Sequence, residues 1–156
     1  MPTPTYTLID SVTLTSTSSQ VDFSSIPADY GDLVLVVSGK SSSTSMNIQM
    51  KLNNTSQTSA VWAYGTGSGT GSSSSSSLAN GYFENTKPSN TIAQIMDYTS
   101  SNHKTALIRI DSAGRGNTFM EASRFALTSV VNEINVVALY DTFASGMTFF
   151  LYGIEA

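Results

Sequence analysis

Seven residues, Met46-Asn-Ile-Gln-Met-Lys-Leu52, limit what this chain can become. Met46, Ile48, Met50 and Leu52 alternate with polar side chains, and Asn53-Asn54 follows as a turn. Alternation at period two lines one face of an extended strand with apolar groups and leaves the other to water. A helix would scatter those four side chains around its surface. The chain is therefore read as strands unless a segment argues otherwise.

Little argues otherwise. Tyr6-Thr-Leu-Ile-Asp10 and Val12-Thr-Leu14 place Tyr6, Leu8, Val12 and Leu14 at even spacing, which predicts one buried face. Val21-Asp-Phe23 is a short alternation. Leu33-Val-Leu-Val-Val37 follows the turn chemistry of Asp29-Tyr-Gly-Asp32 and reads as a central strand, too short for a buried helix. Val61–Tyr64, Thr91–Tyr98, Lys104–Ile110, Asn117–Phe125, Ile134–Tyr140 and Met147–Tyr152 continue the series. Ala113-Gly-Arg-Gly-Asn117 reads as a hairpin loop, since glycine permits positive φ. Residues 125–137 fit a helical period as well. Val130, Val131, Ile134, Val136 and Val137 are β-branched, however, so two strands with a turn near Asn132-Glu133 are expected. About ten strands without helix signals make an all-β protein, a sandwich or a closed barrel.

Composition agrees and excludes several function classes. Charged residues are 12% of the 156, against roughly 25% in an average soluble domain, and 27 Ser with 19 Thr fill the gap. Long surface helices need Glu, Lys and Arg, whereas Thr suits a pleated face. A net charge of −4 and seven scattered Lys and Arg argue against nucleic-acid partners. The absence of cysteine removes disulfides, thiolate chemistry and sulfur-ligated zinc. The start has neither the basic region nor the apolar region of a secretory signal. No apolar run approaches the ~20 residues of a membrane span. The expectation is a soluble chain made in a cytoplasm, forming one domain over 1–156.

Residues 65–77 are Gly-Thr-Gly-Ser-Gly-Thr-Gly and six serines. Such a stretch buries nothing and is expected as a flexible, solvated Gly/Ser loop. It lacks the Gly-Lys-Ser/Thr of a phosphate loop. With Ser41-Ser-Ser-Thr-Ser45 it marks where exposed contacts are expected.

Candidate chemistry is thin. His103 is the one histidine, in a turn-like segment, and no Gly-x-Ser-x-Gly elbow accompanies it; an ordinary loop residue is the expectation. Asp22, Asp29 and Asp32 would bind calcium only if their loops converged, and their spacing is no EF-hand; Asp29 and Asp32 read more simply as turn formers. The acceptor sequences at Asn53 and Asn54 read as chance matches. No catalytic residue, metal ligand or cofactor-binding residue is therefore assigned, and no cofactor is expected. Most aromatics belong to a core. Trp62 and Tyr64, beside the Gly/Ser loop, together with Tyr82, are the residues expected to contact a glycan or a protein.

Two ends of the chain carry more. Tyr6-Thr-Leu-Ile-Asp10, Val21-Asp-Phe-Ser-Ser-Ile-Pro27 and Tyr30-Gly-Asp-Leu33 open it, and Phe143-Ala-Ser-Gly-Met-Thr-Phe-Phe-Leu-Tyr-Gly-Ile154 closes it. In these segments, about the first forty residues and the last fifteen, the chain resembles a family of virion structural proteins from tailed phages, including cyanophages. The resemblance implies an antiparallel jelly-roll-like β-sandwich of about ten strands, with the last strand beside the first. It implies a non-enzymatic accessory protein of the virion, a trimeric capsid decoration or head-fibre knob on the capsid surface. Its partners would be the major capsid protein or other virion proteins, after synthesis in the host cytoplasm. No heptad or shaft repeat is visible, which favours decoration over a fibre. The alternative is a tail-fibre tip that recognises host surface glycan through Trp62 and Tyr64. A polysaccharide-degrading enzyme ranks third. Neither nucleic acid nor membrane is an expected partner.

Overall fold

The described residues form thirteen strands and contain no helix. The computed structural model describes residues 5–65, 69–73, 81–114 and 116–155; at Tyr64, Asn117 and 69–73 it describes the backbone alone. The strands are β1 (Tyr6–Thr13), β2 (Gln20–Ser24), β3 (Asp32–Gly39), β4 (Met46–Leu52), β5 (Thr55–Ser56), β6 (Ser59–Tyr64) and β7 (Gly69–Ser73). They continue as β8 (Gly81–Phe83), β9 (Ser89–Met96), β10 (Lys104–Ser112), β11 (Asn117–Phe125), β12 (Glu133–Leu139) and β13 (Thr148–Ile154).

They make two antiparallel sheets, a β-sandwich. The larger runs β1-β13-β3-β9-β10-β11-β6-β7, and the smaller runs β2-β12-β4-β5, with β8 also on β4. First pairs with last, β1 on β13, and second with second-last, β2 on β12. Nested pairing of that kind is how a jelly roll winds. One continuous core fills the space between the sheets. Met46, Ile48, Met50 and Leu52 line it from β4, and Leu33, Leu35 and Val37 from β3, each essentially inaccessible. Asn53 and Asn54 turn the chain at φ of 47° and 61°, the left-handed pair that joins β4 to β5.

Some of the residues that carry the resemblance, Pro27, Tyr30, Gly31, Gly153 and Ile154, meet in one place. The Tyr30 ring lies on Gly153, where a Cβ would fall 2.2 Å from its Cγ. The amide of Gly31 donates to the carbonyl of Ile154. The buried Tyr98 hydroxyl donates to the carbonyl of Pro27 and accepts the amide of Tyr30. Burial pushes the Tyr98 phenol up, with the Tyr30 hydrogen bond opposing. Pro27, Tyr30 and Gly153 thus clamp the entry to β3 onto the final strand.

Three expectations need correcting. Tyr6, Leu8, Val12 and Leu14 do not share a face: the register of β1 shifts between Leu8 and Asp10. A bulge there reverses the parity, so Tyr6 and Leu8 stand exposed while Ile9, Val12 and Leu14 pack on the core. Residues 69–73 of the expected Gly/Ser loop form β7, paired with β6. Main-chain pairing at a sheet edge asks nothing of the side chains; residues 66–68 and 74–77 lie outside the described residues. The segment 125–137 is not helical, but the turn expected near Asn132 is a longer connection, 126–132, held by buried Val131.

Candidate functional site

The middle strands of the larger sheet, β13, β3, β9 and β10, carry apolar side chains on both sides, and among the described strands no second sheet covers the side away from the core. On β10, Ala106, Ile108 and Ile110 face inward while Leu107 and Arg109 face out. Cross-strand register extends this outer face over the sheet. One row reads Leu8, Tyr152, Val34, Gln94, Leu107 and Ala122, ending at Val61. The row beside it reads Phe150, Val36, Ile92, Arg109, Met120 and Ala63. Val61, Leu107 and Met120 are 58%, 48% and 62% exposed. Arg109 is the one charged residue of the two rows, and it has no ion-pair partner among the described residues. Two hollows of about 540 and 260 Å³ adjoin there, both bounded by Ile92, Gln94 and Arg109.

A second feature lies where the larger sheet reaches past the edge of the smaller. A crevice of about 190 Å³ is lined by Trp62, Tyr82, Asn47, Phe119 and Glu121, with Gly81 and Ile110 behind them. Trp62 sits directly opposite Glu121 in the β6–β11 register. Glu121 is almost fully buried, and the Ser123 hydroxyl stands between its carboxyl and the Gln57 amide oxygen, 3.0 Å from the latter. Of the three expected contact residues, the structure thus brings Trp62 and Tyr82 together. Tyr64 ends β6 opposite Phe119, and its side chain lies outside the described residues. Glu121 and Asn47 were not legible as site residues, because a buried Glu in an alternating strand resembles any solvent-facing one.

The other candidates do not assemble. Asp22, on β2, accepts from Gln20 and Asn135, and Asp32, on the other sheet, accepts from Gln94 and the amide of Asp97. Among the described residues no group of three acidic or histidine side chains gathers that could hold a metal, so Asp22, Asp29 and Asp32 do not converge there. His103 is exposed and contacts the Arg124 guanidinium. Buried Lys104 donates to the carbonyls of Ser100 and Asn102, closing the loop before its own strand. Burial lowers its pKa, and Asp97 opposes the shift. Ser42, Ser43 and Thr44, within the serine-rich stretch expected to offer contacts, fold around the Asp141 carboxylate, and Ser43 to Ser45 remain exposed.

No family model and no curated protein matches this sequence. Among solved structures, the chain is similar to an exo-inulinase from Aspergillus awamori, at a TM-score of 0.47 and 11% identity, covering 96% of this chain and 29% of that one. A sucrose-6-phosphate hydrolase from Lactobacillus gasseri follows at 0.35 and 10%, covering 89% and 28%. An endo-β-1,4-glucuronan lyase from Trichoderma reesei gives 0.33 and 10%, covering 91% and 76%. The chain spans less than a third of the length of the first two, and at these scores none of the three bears on what it does.

Proposed function

We propose that this chain is a non-enzymatic structural subunit of a virus particle, a decoration protein on the outer surface of the head. The observation that carries the reading is the apolar outer face of the eight-stranded sheet. A soluble domain working alone rarely exposes a contiguous apolar band of that extent, whereas a subunit that works against another protein surface needs one. Two features support the virion assignment. Tyr30 and Gly31, from the opening segments behind the family resemblance, contact Gly153 and Ile154 of the closing segment. The pairing of Tyr6 with Ile154 sets the two described ends of the chain at one side of the sandwich. Labelling intact particles with gold-conjugated antibody against this protein tests the reading. Label over the head supports decoration; label absent from particles overturns any virion role.

A second reading is favoured by the crevice, where Trp62 and Tyr82 share one small cavity with the Asn47 amide and the Glu121 carboxyl. Aromatic rings beside an amide and a carboxyl are suited to a sugar's apolar face and its hydroxyls. On that reading the chain is a tail-tip domain that recognises host surface glycan. Label confined to the tail tip, with saturable glycan quenching of the lone Trp62 and loss of binding in Trp62→Ala, would support it over decoration. The same carboxyl carries no glycosidase mechanism by itself, since that chemistry needs a pair.

A further inference from the structure

The two rows on the outer face complement themselves. They hold one cation, Arg109, and one pair of stacked rings, Phe150 and Tyr152, whose centroids lie 6.3 Å apart at 24°. Strand order places these features symmetrically: β13, β3, β9 and β10 are consecutive. A two-fold axis parallel to the strands and midway between β3 and β9 exchanges β13 with β10 and keeps every residue in its row. That operation sets Arg109 of one copy over Phe150 of the other and Leu107 over Tyr152. It sets Val36 over Ile92 in the same row. Each contact occurs twice, as an isologous interface requires.

We propose that two copies of this chain pair face to face through the outer surface of the eight-stranded sheet, with Arg109 of each stacked on the Phe150–Tyr152 rings of the other. The proposal rests on the reading of this face as an interface and names its occupant. Sheets stack about 10 Å apart with strands nearly aligned, so a second copy is a natural cover for a flat pleated surface. Six strands overlap under this axis, giving a footprint on the order of 600 Å² per copy. That exceeds the roughly 400 Å² per side of chance contacts and approaches the ~800 Å² of a standard interface. Arginine tolerates such a place because guanidinium is weakly hydrated and stacks on aromatic faces. Leu107 and Met120, both within the overlap, are apolar where a sugar site would offer polar groups, which favours a protein occupant.

Sedimentation of the full chain over a range of concentrations tests the pairing. A dimer is expected, with Leu107→Glu raising its Kd at least about 100-fold while the near-ultraviolet circular dichroism stays native. Arg109→Ala is expected to raise Kd by roughly 10- to 100-fold, since symmetry removes the contact twice. The chain has no cysteine, so introduced thiols are unique. Across the proposed axis, residue 109 lies about 10 Å from residue 150 of the other copy but about 17 Å from its own counterpart. A short bismaleimide should therefore join an Arg109→Cys chain to a Phe150→Cys chain and leave Arg109→Cys chains uncoupled to each other. This arm decides the matter if Leu107→Glu fails to fold. A monomer at every concentration, a trimer, a dimer indifferent to Leu107→Glu, or the opposite cross-linking preference overturns the pairing. A monomer that still labels virus heads would overturn it while leaving the decoration reading intact. A dimer absent from particles would do the reverse.

Discussion

Asp141 fastens the 42–44 stretch of chain to its own, beside the backbone bonds that also join them. Its carboxylate accepts from the Ser42 hydroxyl at 2.8 Å and from the amides of Ser43 and Thr44 at 2.9 and 2.8 Å. Burial alone would push this carboxyl up. The amides of Thr44 and Ser43, the Ser42 hydroxyl and the Thr142 backbone outweigh it, and hold the carboxyl well below the usual carboxylate range. Asp141→Asn removes the charge from a ring of donors and should cost about 1.5–3 kcal/mol at neutral pH. The sign of the pH dependence follows from the lowered pKa. Below about pH 4 the unfolded chain takes up a proton that the folded chain still refuses. Stability due to Asp141 is thus complete above the ordinary carboxyl pKa and lost as pH falls below it. Urea midpoints of both proteins should differ most at neutral pH and converge in acid; a gap unchanged down to about pH 3 would show that the charge contributes nothing. None of this was legible in advance, because Ser41–Ser45 reads as an open polar loop and the carboxylate that orders it lies about a hundred residues later.

At the scale of elements, the β4–β5 turn does more than reverse the chain. Asn53 accepts the amides of Asn132 and Glu133 at 3.0 and 3.1 Å and donates to the carbonyl of Val130 at 2.8 Å. It therefore fastens the end of the 126–132 connection while sitting at a positive φ. Asn53→Ala loses those bonds and the residue type that tolerates the left-handed region, so a loss of about 2–3 kcal/mol is expected. Asn54 has the same backbone conformation, and among the described residues its side chain bonds Glu133 alone, at 3.1 Å. Asn54→Gly should be neutral or slightly stabilising, since glycine suits the second position of this turn. Thermal unfolding of the two variants side by side checks the contrast, and equal losses would refute the fastening role. The turn itself was readable from Asn-Asn after a clean alternation, as were β3, β4 and β9 to β11. The β1 bulge was not: both parities of Tyr6 to Leu14 place apolar residues inward somewhere, and only pairing with β13 selects the break. Nor was β7, whose glycines and serines pair by backbone alone.

For the whole molecule, period-two patterns pointed to strands throughout but left open a sandwich or a closed barrel, and whether a strand apolar on both faces is covered on both. Phe149-Phe-Leu-Tyr152 and Leu107-Ile108 are such cases, and only the strand order shows that one side of each has no sheet over it. That order also closes the chain on itself. The amide of Glu155 donates to the carbonyl of Thr5 at 3.3 Å, so the described ends touch. Stability then resides in the closed pairing of β1, β13 and β3 and does not depend on where the backbone is interrupted, provided the break spares that pairing. A circular permutant joining Glu155 to Thr5 through a few Gly and Ser residues, opened in the serine run 72–77, tests this. It removes none of the buried core side chains and should cost at most about 2 kcal/mol, a fall in Tm of about 4–8 °C. The same closure opened between Val36 and Val37 breaks the strand that joins β13 to β9. That permutant should lose cooperative melting, because Leu35 and Val37 can no longer be registered from both sides. If both permutants melt alike, the fold is held by general burial between the sheets and not by the continuity of its central strand.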